Sequence, residues 1–404
     1  MKFKITDLTG RRVSNETFLN KTVTVESRSG LHAAEKALIN RINSIPLSGN
    51  LLIVGNRTGV LAMIAATLQP DSHITCHTGD IHHAKTLCRN LQSNQFCTQL
   101  IFDDFVTVEE SAELTEDSCP PSSAGAVITV ACTTRIPKGE FDNAFFMITP
   151  TTTTGEHTLD LLENIHQRLK VKGKCLIAYA GESHALTKQL KDAFGQVQTI
   201  EQSRKGGTIF LATKKAELKK PRDFSATFEA SLPGGNKITL GSLPGIFCHR
   251  RADNGGLALA EIAAERLEPG MRVLDMGCGC GIVGLLLAWK HPDIEVTFID
   301  SHARAMDVTH RNIQSLGVAK TKLILSDTGT AERGYDMFVG NPPYYSDYRI
   351  AEIFIEQAYQ SLKEDGVALF VTKQTAQVGY LIHEKFGNSD MINRRGYGVI
   401  SAVR

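Results

Sequence analysis

The sequence predicts an α/β protein of two tandem domains, each a mostly parallel, twisted sheet flanked by helices. Three observations predict it: alternating strand-like and helix-like apolar runs, a glycine-rich turn between a strand and a helix, and an internal repeat. The chain has 404 residues, of which 42% are hydrophobic and 22% are charged. A chain of this length and composition is long enough for two domains with substantial cores.

The clearest α/β unit begins at residue 271. Residues 271–276 have the pattern of a strand, residues 277–281 form the turn Gly-Cys-Gly-Cys-Gly, and residues 282–289 are apolar and helix-like. After Pro292-Asp293, residues 296–300 have the pattern of a second strand. This order is the opening of a right-handed parallel α/β unit.

An earlier segment repeats that plan without a gap at a spacing of 222 residues. The shared landmarks are Gly59 with Gly281, Pro70-Asp71 with Pro292-Asp293, Thr75 with Thr297, Arg89-Asn90 with Arg311-Asn312, and Gln92-Ser93 with Gln314-Ser315. Further on, Phe141-Asp142 matches Tyr335-Asp336, each ahead of an apolar run. We therefore interpret the chain as two homologous domains.

The predicted boundaries follow from the break between the two copies. Residues 1–213 form the N-terminal domain, residues 214–235 a linker, and residues 236–404 the C-terminal domain. The basic stretch 214–222 is typical both of a solvated linker and of a segment that contacts phosphates. It leads into a predicted hairpin that turns at Gly234-Gly235-Asn236.

The C-terminal copy carries the pattern of a site for a nucleotide-like cofactor. Glycines in the turn allow a ligand to approach the backbone closely, and Asp300 ends the next strand, where an acid typically binds ribose hydroxyls. The Gly-x-Gly-x-Gly spacing and an acid in the preceding strand favour S-adenosyl-L-methionine (AdoMet) over a dinucleotide. Asp327 falls where a further acid could meet the adenine amine. The predicted cofactor-binding residues are Asp275, Gly277, Cys278, Gly279, Gly281, Asp300, Ser301, Asp327 and Asn341.

The tetrapeptide Asn341-Pro342-Pro343-Tyr344 follows the apolar run 337–340 near the C-terminal end. Methyltransferases that alkylate weakly nucleophilic amino groups use such an arrangement, since the nitrogen must be held by hydrogen-bond acceptors. The amide oxygen of Asn341 and the carbonyl of Pro342 are suitable acceptors, and proline presets their geometry. We predict that these four residues are catalytic.

The N-terminal copy departs from this pattern at the positions that matter. Its counterpart of the tetrapeptide is the stretch 147–150, Met-Ile-Thr-Pro, and the other replacements are Ile53 for Asp275, Arg57 for Gly279 and Thr78 for Asp300. An arginine in the turn would repel a sulfonium ion. The N-terminal domain is therefore predicted to be catalytically inactive, with a structural or RNA-binding role.

Together these motifs resemble the bacterial rRNA guanine-(2-amino) methyltransferases of the ribosomal small-subunit and large-subunit types. In those proteins a degenerate methyltransferase-like domain precedes an active one. The resemblance covers most of the chain and is most specific from Gly245 onward. It is carried there by residues 244–247, Asp253-Asn254-Gly255, residues 384–387 and residues 395–399.

The resemblance implies two Rossmann-like class I methyltransferase domains and AdoMet-dependent methylation of a guanine 2-amino group in ribosomal RNA. The segment that begins at Pro244 is then expected to help cover the cofactor, and the extruded guanine is expected to stack on Tyr344. Many members of the family carry Phe where this chain has Tyr344. A tyrosine there is shared with enzymes that methylate adenine amines or protein glutamine.

Alternative functions are therefore methylation of an adenine amine of RNA or DNA, methylation of a protein glutamine, and a non-enzymatic role in RNA binding and assembly. The expected partner is ribosomal RNA or a ribosomal subunit. The protein is expected to be a monomer. No metal is expected, because no paired Cys-x-x-Cys motif at zinc spacing occurs. A cytoplasmic location without membrane contact is expected from the lack of long apolar stretches and of a secretory core at the N-terminus.

Overall fold

The computed structural model describes residues 4–5, 12–18, 21–27, 31–108, 126–148, 155–179, 184–203, 207–343 and 348–404. The chain divides into two compact units. Unit 1 comprises Met1–Asp103 and Glu110–Phe224, and unit 2 comprises Asp104–Glu109 and Ser225–Arg404. The stretch 214–235, expected to be a linker, is thus shared between the two units.

Unit 1 contains two sheets. A small antiparallel sheet is formed by β1 (Lys4–Ile5), β2 (Arg12–Phe18) and β3 (Lys21–Ser27). The strands of the larger sheet are β4 (Asn50–Val54), β5 (His73–Thr78), β6 (Thr98–Phe102), β7 (Ile128–Cys132), β8 (Phe141–Ile148), β9 (Leu169–Tyr179), β10 (Gly195–Ser203) and β11 (Gly207–Lys214). The helices are α1 (Ala33–Asn40), α2 (Val60–Leu68), α3 (Ile81–Ser93), α4 (Gly155–Arg168) and α5 (His184–Phe194), with a 3₁₀ turn at Ile42–Ser44.

The larger sheet of unit 1 has the strand order β10-β11-β9-β8-β4-β5-β7-β6. The last six strands in this order, from β9 to β6, pair in parallel. The first two are antiparallel: β11 to β9, and β10 to β11. Residues of the basic stretch 214–222, which begins at the last residue of β11, make hydrogen bonds within unit 1. Lys214 is buried and donates to the Leu169 carbonyl at 2.7 Å, and the Arg222 backbone N–H donates to Glu163 at 2.8 Å.

Unit 2 contains a hairpin and one large sheet. The hairpin is formed by β12 (Ala226–Ala230) and β13 (Ile238–Ser242), so the hairpin predicted around residues 234–236 is confirmed. The strands of the sheet are β14 (Arg272–Met276), β15 (Glu295–Asp300), β16 (Thr321–Leu325), β17 (Tyr335–Gly340), β18 (Leu362–Thr372), β19 (Asp390–Arg394) and β20 (Tyr397–Val403). The helices are α6 (Asn254–Ala264), α7 (Ile282–Lys290), α8 (Ala303–Leu316), α9 (Arg349–Ser361) and α10 (Thr375–Phe386).

The sheet of unit 2 has the order β16-β15-β14-β17-β18-β20-β19. The first five strands in this order pair in parallel, and β20 and β19 are antiparallel to their neighbours. Phe298, Phe338 and Phe370 are completely buried on three of these strands, and burial of each side chain contributes about 2 kcal/mol. From β14 the chain adds β15 and β16 on one side of the sheet, and it then returns to add β17 and β18 on the other side. At such a switch point a crevice opens at the carboxyl ends of the strands.

A short segment pairs with the outer edge of this sheet, beside β16. The backbone of Thr107 donates to the Leu323 carbonyl and accepts from the Leu325 N–H, both at 2.9 Å. The Phe105 ring stacks on His310 of α8 with 4.8 Å between ring centroids. The segment therefore covers part of a strand edge that would otherwise expose unpaired backbone groups.

The internal repeat is visible element by element. At a spacing of 222 residues, the bounds of β4, α2 and β5 coincide with those of β14, α7 and β15. One side-chain bond is repeated too: the Asn90 amide donates to the Thr58 carbonyl at 2.8 Å, and the Asn312 amide donates to the Cys280 carbonyl at 2.9 Å. The predicted fold class, two tandem α/β domains with mostly parallel sheets, is confirmed.

A second repeated bond holds the amino end of β4 in unit 1 and of β14 in unit 2. Asp142 accepts from the Asn50 N–H at 2.8 Å, and Asp336 accepts from the Arg272 N–H at 2.6 Å. A lysine pairs with each of these aspartates, Lys170 in unit 1 and Lys363 in unit 2. The two aspartates therefore hold neighbouring strands in register far from the carboxyl ends. Across the described ranges, no helix has the length and apolar character needed to cross a bilayer.

Candidate active site

The site lies where β14 and β17, adjacent and parallel, reach the carboxyl edge of the unit 2 sheet. Met276 pairs with Gly340 at the last register position of the two strands. β14 continues directly into the glycine turn, and β17 continues into Asn341. Because parallel strands end at the same edge, the fold brings the predicted cofactor turn and the predicted catalytic amide together.

The glycine turn has a conformation that its sequence demands. Gly277, Gly279 and Gly281 have φ values of 70°, 61° and 80°, which side chains other than glycine adopt at a cost. The N–H groups of Gly277 and Cys278 donate to the Ile299 carbonyl at 2.8 and 3.1 Å, which ties the turn to β15. A Cβ added at Gly279 would meet only Ile246, at 3.9 Å. The turn therefore leaves space against its backbone at Gly279.

Asp300 is held rigidly beside this turn. One carboxylate oxygen accepts from the Gly279 N–H at 3.0 Å and the other from the His302 N–H at 2.9 Å. The residue is half-buried at the end of β15, at the carboxyl edge of the sheet. This geometry fits the predicted role of binding ribose hydroxyls.

Asp275 has a different environment from the other acids. It is 2% exposed, and its carboxylate accepts from the Gly284 N–H at 2.9 Å, in the first turn of α7. Burial raises the pKa of this carboxyl group to about 7. The hydrogen bond of Asp275 is thus made to the start of α7, where a carboxylate is stabilised by the helix dipole.

The remaining predicted cofactor residues lie along the same edge. Ser301 and Asp327 are half-buried, directly after β15 and two residues after β16, and these two strands pair in parallel. Cys278 is buried with its sulfur 3.7 Å from the Thr309 hydroxyl, and burial raises the pKa of its thiol well above the ordinary value. Cys278 is therefore an unreactive small residue in the turn.

Asn341 is anchored by a residue that the sequence analysis did not single out as a site residue. Its amide Nδ2 donates to the Asp253 carboxylate at 3.0 Å. Asp253 is the N-cap of α6 and accepts from the Gly256 N–H at 2.6 Å. Pro342 is buried and Pro343 half-buried, whereas Tyr344 lies outside the described residues. In the sequence, Asp253 belongs to a segment that carries the family resemblance, and an aspartate immediately before an apolar helix is also the pattern of an N-cap.

The segment between β13 and α6 passes close to the glycine turn. Ile246 is the residue that a Cβ at Gly279 would meet, and Arg304 of α8 donates to the Pro244 carbonyl at 3.3 Å. Phe247 is 70% exposed beside them. The segment that begins at Pro244 thus lies beside the glycine turn, and its role as a cover for the cofactor stays a prediction.

The equivalent edge of unit 1 is built differently. Thr78 replaces Asp300 and accepts from the Asp80 N–H at 3.3 Å, which reproduces only one of the two Asp300 bonds. Arg57 occupies the position of Gly279, and burial lowers the pKa of its guanidinium. Of the stretch that matches the catalytic tetrapeptide, Met147 and Ile148 end β8, and residues 149–150 lie outside the described residues.

The groups at the carboxyl edge of the unit 2 sheet fit an adenosine-containing cofactor. It offers an open backbone turn, a fixed carboxylate at the end of the second strand, and a further carboxylate after the third. A metal site is a different matter: the described residues contain no group of three or more His, Cys, Asp or Glu that could hold an ion. The turn and the two carboxylates suit an organic cofactor that is bound beside an amide acceptor.

Comparison with known proteins finds similarity to methyltransferases. Residues 237–401 match the family model of the methyltransferase small domain. The chain is 28% identical over 275 residues to the ribosomal RNA small subunit methyltransferase C of Stutzerimonas stutzeri (strain A1501), over 66% of this chain and 81% of that protein. It is 24% identical over 218 residues to the protein of the same name from Haemophilus influenzae (strain 86-028NP), over 52% of this chain and 64% of that protein.

A solved structure extends the similarity of fold to both units. The 16S rRNA N2 methyltransferase RsmC of T. thermophilus, in complex with AdoMet and guanosine, superimposes with a TM-score of 0.73. The superposition covers 97% of this chain and 98% of that one at 18% sequence identity. The resemblance to the rRNA guanine-(2-amino) methyltransferases is confirmed, and within it residues 237–401 match the model of the methyltransferase small domain.

Proposed function

We propose that this protein transfers a methyl group from AdoMet to the exocyclic 2-amino group of a guanine in ribosomal RNA. The observation that carries the proposal is that Asn341 and the glycine turn both follow directly from the paired carboxyl ends of β17 and β14. An amide acceptor set directly beside a cofactor turn is suited to holding an amino group for alkylation. The names of the two bacterial relatives, and the AdoMet and guanosine in the solved RsmC structure, support the same reaction.

AdoMet supplies an electrophilic methyl group on a sulfonium centre, and the chain supplies its binding site. In this proposal the backbone at Gly277 and Gly279 lies against the cofactor, Asp300 and Ser301 bind the ribose, and Asp327 meets the adenine amine. Asp275 supports the cofactor site indirectly: its buried carboxylate stabilises the start of α7 and the turn that precedes this helix.

The residues of the tetrapeptide act on the substrate. The Asn341 amide oxygen and the Pro342 carbonyl accept hydrogen bonds from the guanine amine, which hold its nitrogen for attack. The Tyr344 ring stacks on the extruded base. No strong general base is needed, since the nitrogen becomes acidic once it is alkylated and its proton passes to water. Positioning and electrostatics then supply most of the rate enhancement.

The N-terminal domain, residues 1–213 in the sequence-based division, does not bind AdoMet in this proposal. Its turn carries Arg57, and Thr78 offers one hydroxyl where Asp300 offers two carboxylate oxygens. Its role is to stabilise the protein or to bind RNA. Residues 214–235 connect it to the catalytic domain, residues 236–404. A monomer in the cytoplasm, where ribosomal RNA is modified, is the form in which the chain is expected to act.

The test is methyl transfer from tritiated AdoMet to three substrates: unmodified ribosomal RNA, assembled ribosomal subunits, and a release-factor-like protein. The Asn341→Ala variant, with AdoMet affinity measured by calorimetry, is the matched control. We expect label in RNA or subunits, at least about 100-fold less label with the variant, and nearly unchanged cofactor affinity. Label in the protein substrate alone would refute the rRNA assignment.

A further inference from the structure

We infer that Asp253 is a positioning residue for the methylation, acting through Asn341. The inference rests on the proposed function and deepens it, because it explains how the amide at position 341 comes to present an oxygen to the substrate. Asp253 and Asn341 are 88 residues apart in the chain, and their side chains meet at 3.0 Å. No other described side chain is hydrogen-bonded to the Asn341 amide.

The bond settles which end of the amide faces the substrate. An asparagine side chain has a donor end and an acceptor end of nearly equal shape, so either could point into the crevice. A carboxylate only accepts hydrogen bonds, so the end that meets Asp253 must be the NH₂ group. The oxygen is thereby turned to the other side. An amine that must be held before alkylation needs an acceptor of this kind.

Asp253 is itself immobilised, which makes it a firm reference point for the amide. It is 8% exposed, and its Oδ2, the atom that meets Asn341, also accepts from the Gly256 N–H at 2.6 Å. The thiol of Cys248 lies 3.7 Å from Oδ1. The Tyr397 ring closes the space beside Gly255, where an added Cβ would lie 3.2 Å from the ring. The carboxylate therefore cannot rotate away from Asn341 without loss of the helix cap.

The charge of Asp253 adds a second effect. A carboxylate that accepts from the amide NH₂ draws the amide toward the form with more negative charge on oxygen, because hydrogen bonds in a chain polarise one another. The oxygen then becomes a stronger acceptor for the amine. As the new bond forms, the amine nitrogen gains positive charge, and the hydrogen bond to a polarised oxygen strengthens. Asp253 thus favours the transition state over the bound substrate.

The experiment uses two substitutions that retain the cap of α6. Serine and asparagine are good N-cap residues, so Asp253→Ser and Asp253→Asn should preserve the helix start. Serine is too short to reach Asn341, whereas asparagine reaches it without the charge. Asp80→Ser, which changes an aspartate N-cap of α3 in unit 1, is the matched control. All variants are full-length, and their melting temperatures and AdoMet affinities are measured first.

We expect kcat on ribosomal RNA to fall about 100-fold in Asp253→Ser and about 10-fold in Asp253→Asn, as for a misplaced catalytic group. AdoMet affinity should stay within about threefold of the wild type, since the residue acts on the substrate side. Asp80→Ser should leave kcat unchanged. In an Asn341→Ala background, Asp253→Ser should reduce the residual rate no further, because the two residues act as one unit.

A binding measurement separates positioning from a merely structural role. Inosine lacks the 2-amino group of guanosine, so the wild type bound to S-adenosylhomocysteine should bind guanosine more tightly than inosine, and Asp253→Ser should lose that preference. A variant that keeps both its kcat and its preference would overturn the inference. So would one that loses AdoMet affinity in parallel with kcat. A wild type that methylates no RNA would refute the proposed function, and the inference with it.

Discussion

Asp300 and Thr78 occupy the same position in the two copies, and the bonds they make explain why one copy is equipped for cofactor binding. The two carboxylate oxygens of Asp300 accept from two backbone N–H groups, one in the glycine turn and one at the start of α8. The single hydroxyl of Thr78 reproduces only the bond to the helix start. The turn in unit 1 therefore lacks the carboxylate that fixes its counterpart and that we propose as the ribose ligand.

Asp275 gives a prediction for stability against pH. Its pKa is about 7 in the folded protein and near 4 in the unfolded chain, so the folded state binds the extra proton between these values. The free energy of unfolding contributed by this group therefore falls as pH rises from about 4 to about 7, by up to about 4 kcal/mol. Asp275→Asn keeps an acceptor for the Gly284 N–H and removes the titration.

The measurement is urea unfolding of the wild type and Asp275→Asn at pH 4.5 and pH 8 without AdoMet. The variant should gain stability relative to the wild type at the higher pH, because only the wild type must then bury a charged carboxylate. Other titrating groups are common to both proteins and cancel in the comparison. An equal difference at both pH values would show that the buried carboxyl does not titrate in this range.

Some residues of the site could be predicted from the sequence, and others could not. The glycine turn and Asp300 lie within one contiguous α/β unit, so their spacing alone indicates their meeting. Asp253 is separated from Asn341 by 88 residues, and the bond between them depends on how α6 packs beside β17. The buried orientation of Asp275 is likewise a property of packing, because the sequence shows an acid in a strand but not the group to which it is bonded.

At the scale of elements, the internal repeat and its spacing could both be predicted from the sequence. The ungapped spacing of 222 residues gives identical bounds for β4 and β14, for α2 and α7, and for β5 and β15. Strand β7 and the pairing of Thr107 beside β16 were not predicted. In chain order β7 is an additional strand, although it lies beside β5 as β16 lies beside β15, and a single bridging residue has no periodic pattern. Both arise from pairing between segments that are distant in the chain, which local periodicity does not encode.

The start of α7 provides a prediction at this scale. Gly281 is its N-cap with φ of 80°, and an added Cβ would lie 2.9 Å from Leu285 and 3.0 Å from Thr309. Gly281→Ala should therefore lower the free energy of unfolding by about 2–4 kcal/mol, from backbone strain and overpacking together. Gly317, the C-cap of α8, has φ of 65° with nothing within 4 Å of an added Cβ.

Gly317→Ala is thus a control for backbone strain alone and should cost about 1–2 kcal/mol. Urea unfolding of both variants gives the comparison. Equal losses of stability would mean that the contacts around Gly281 are not as tight as the structure indicates. AdoMet affinity should fall only in Gly281→Ala, since Gly317 lies at the far end of α8 from the turn.

At the scale of the whole molecule, the protein has two similar domains, and we propose that only unit 2 binds AdoMet. Calorimetric titration with S-adenosylhomocysteine should therefore give one binding site per chain. Asp300→Ala should weaken that site by about 10-fold or more, because the carboxylate bonds the turn and is proposed to bind the ribose as well. Two sites per chain, or one site unaffected by Asp300→Ala, would place cofactor binding in unit 1 and contradict the comparison of the two copies.

The central claim is that the methyl group reaches the 2-amino nitrogen of a guanine. The most direct test is to methylate unmodified ribosomal RNA with AdoMet carrying a deuterated methyl group, digest the RNA to nucleosides, and identify the labelled nucleoside by mass spectrometry. The account predicts N2-methylguanosine as the labelled product. Label in N6-methyladenosine, or no label in RNA together with label in a protein glutamine, would contradict it.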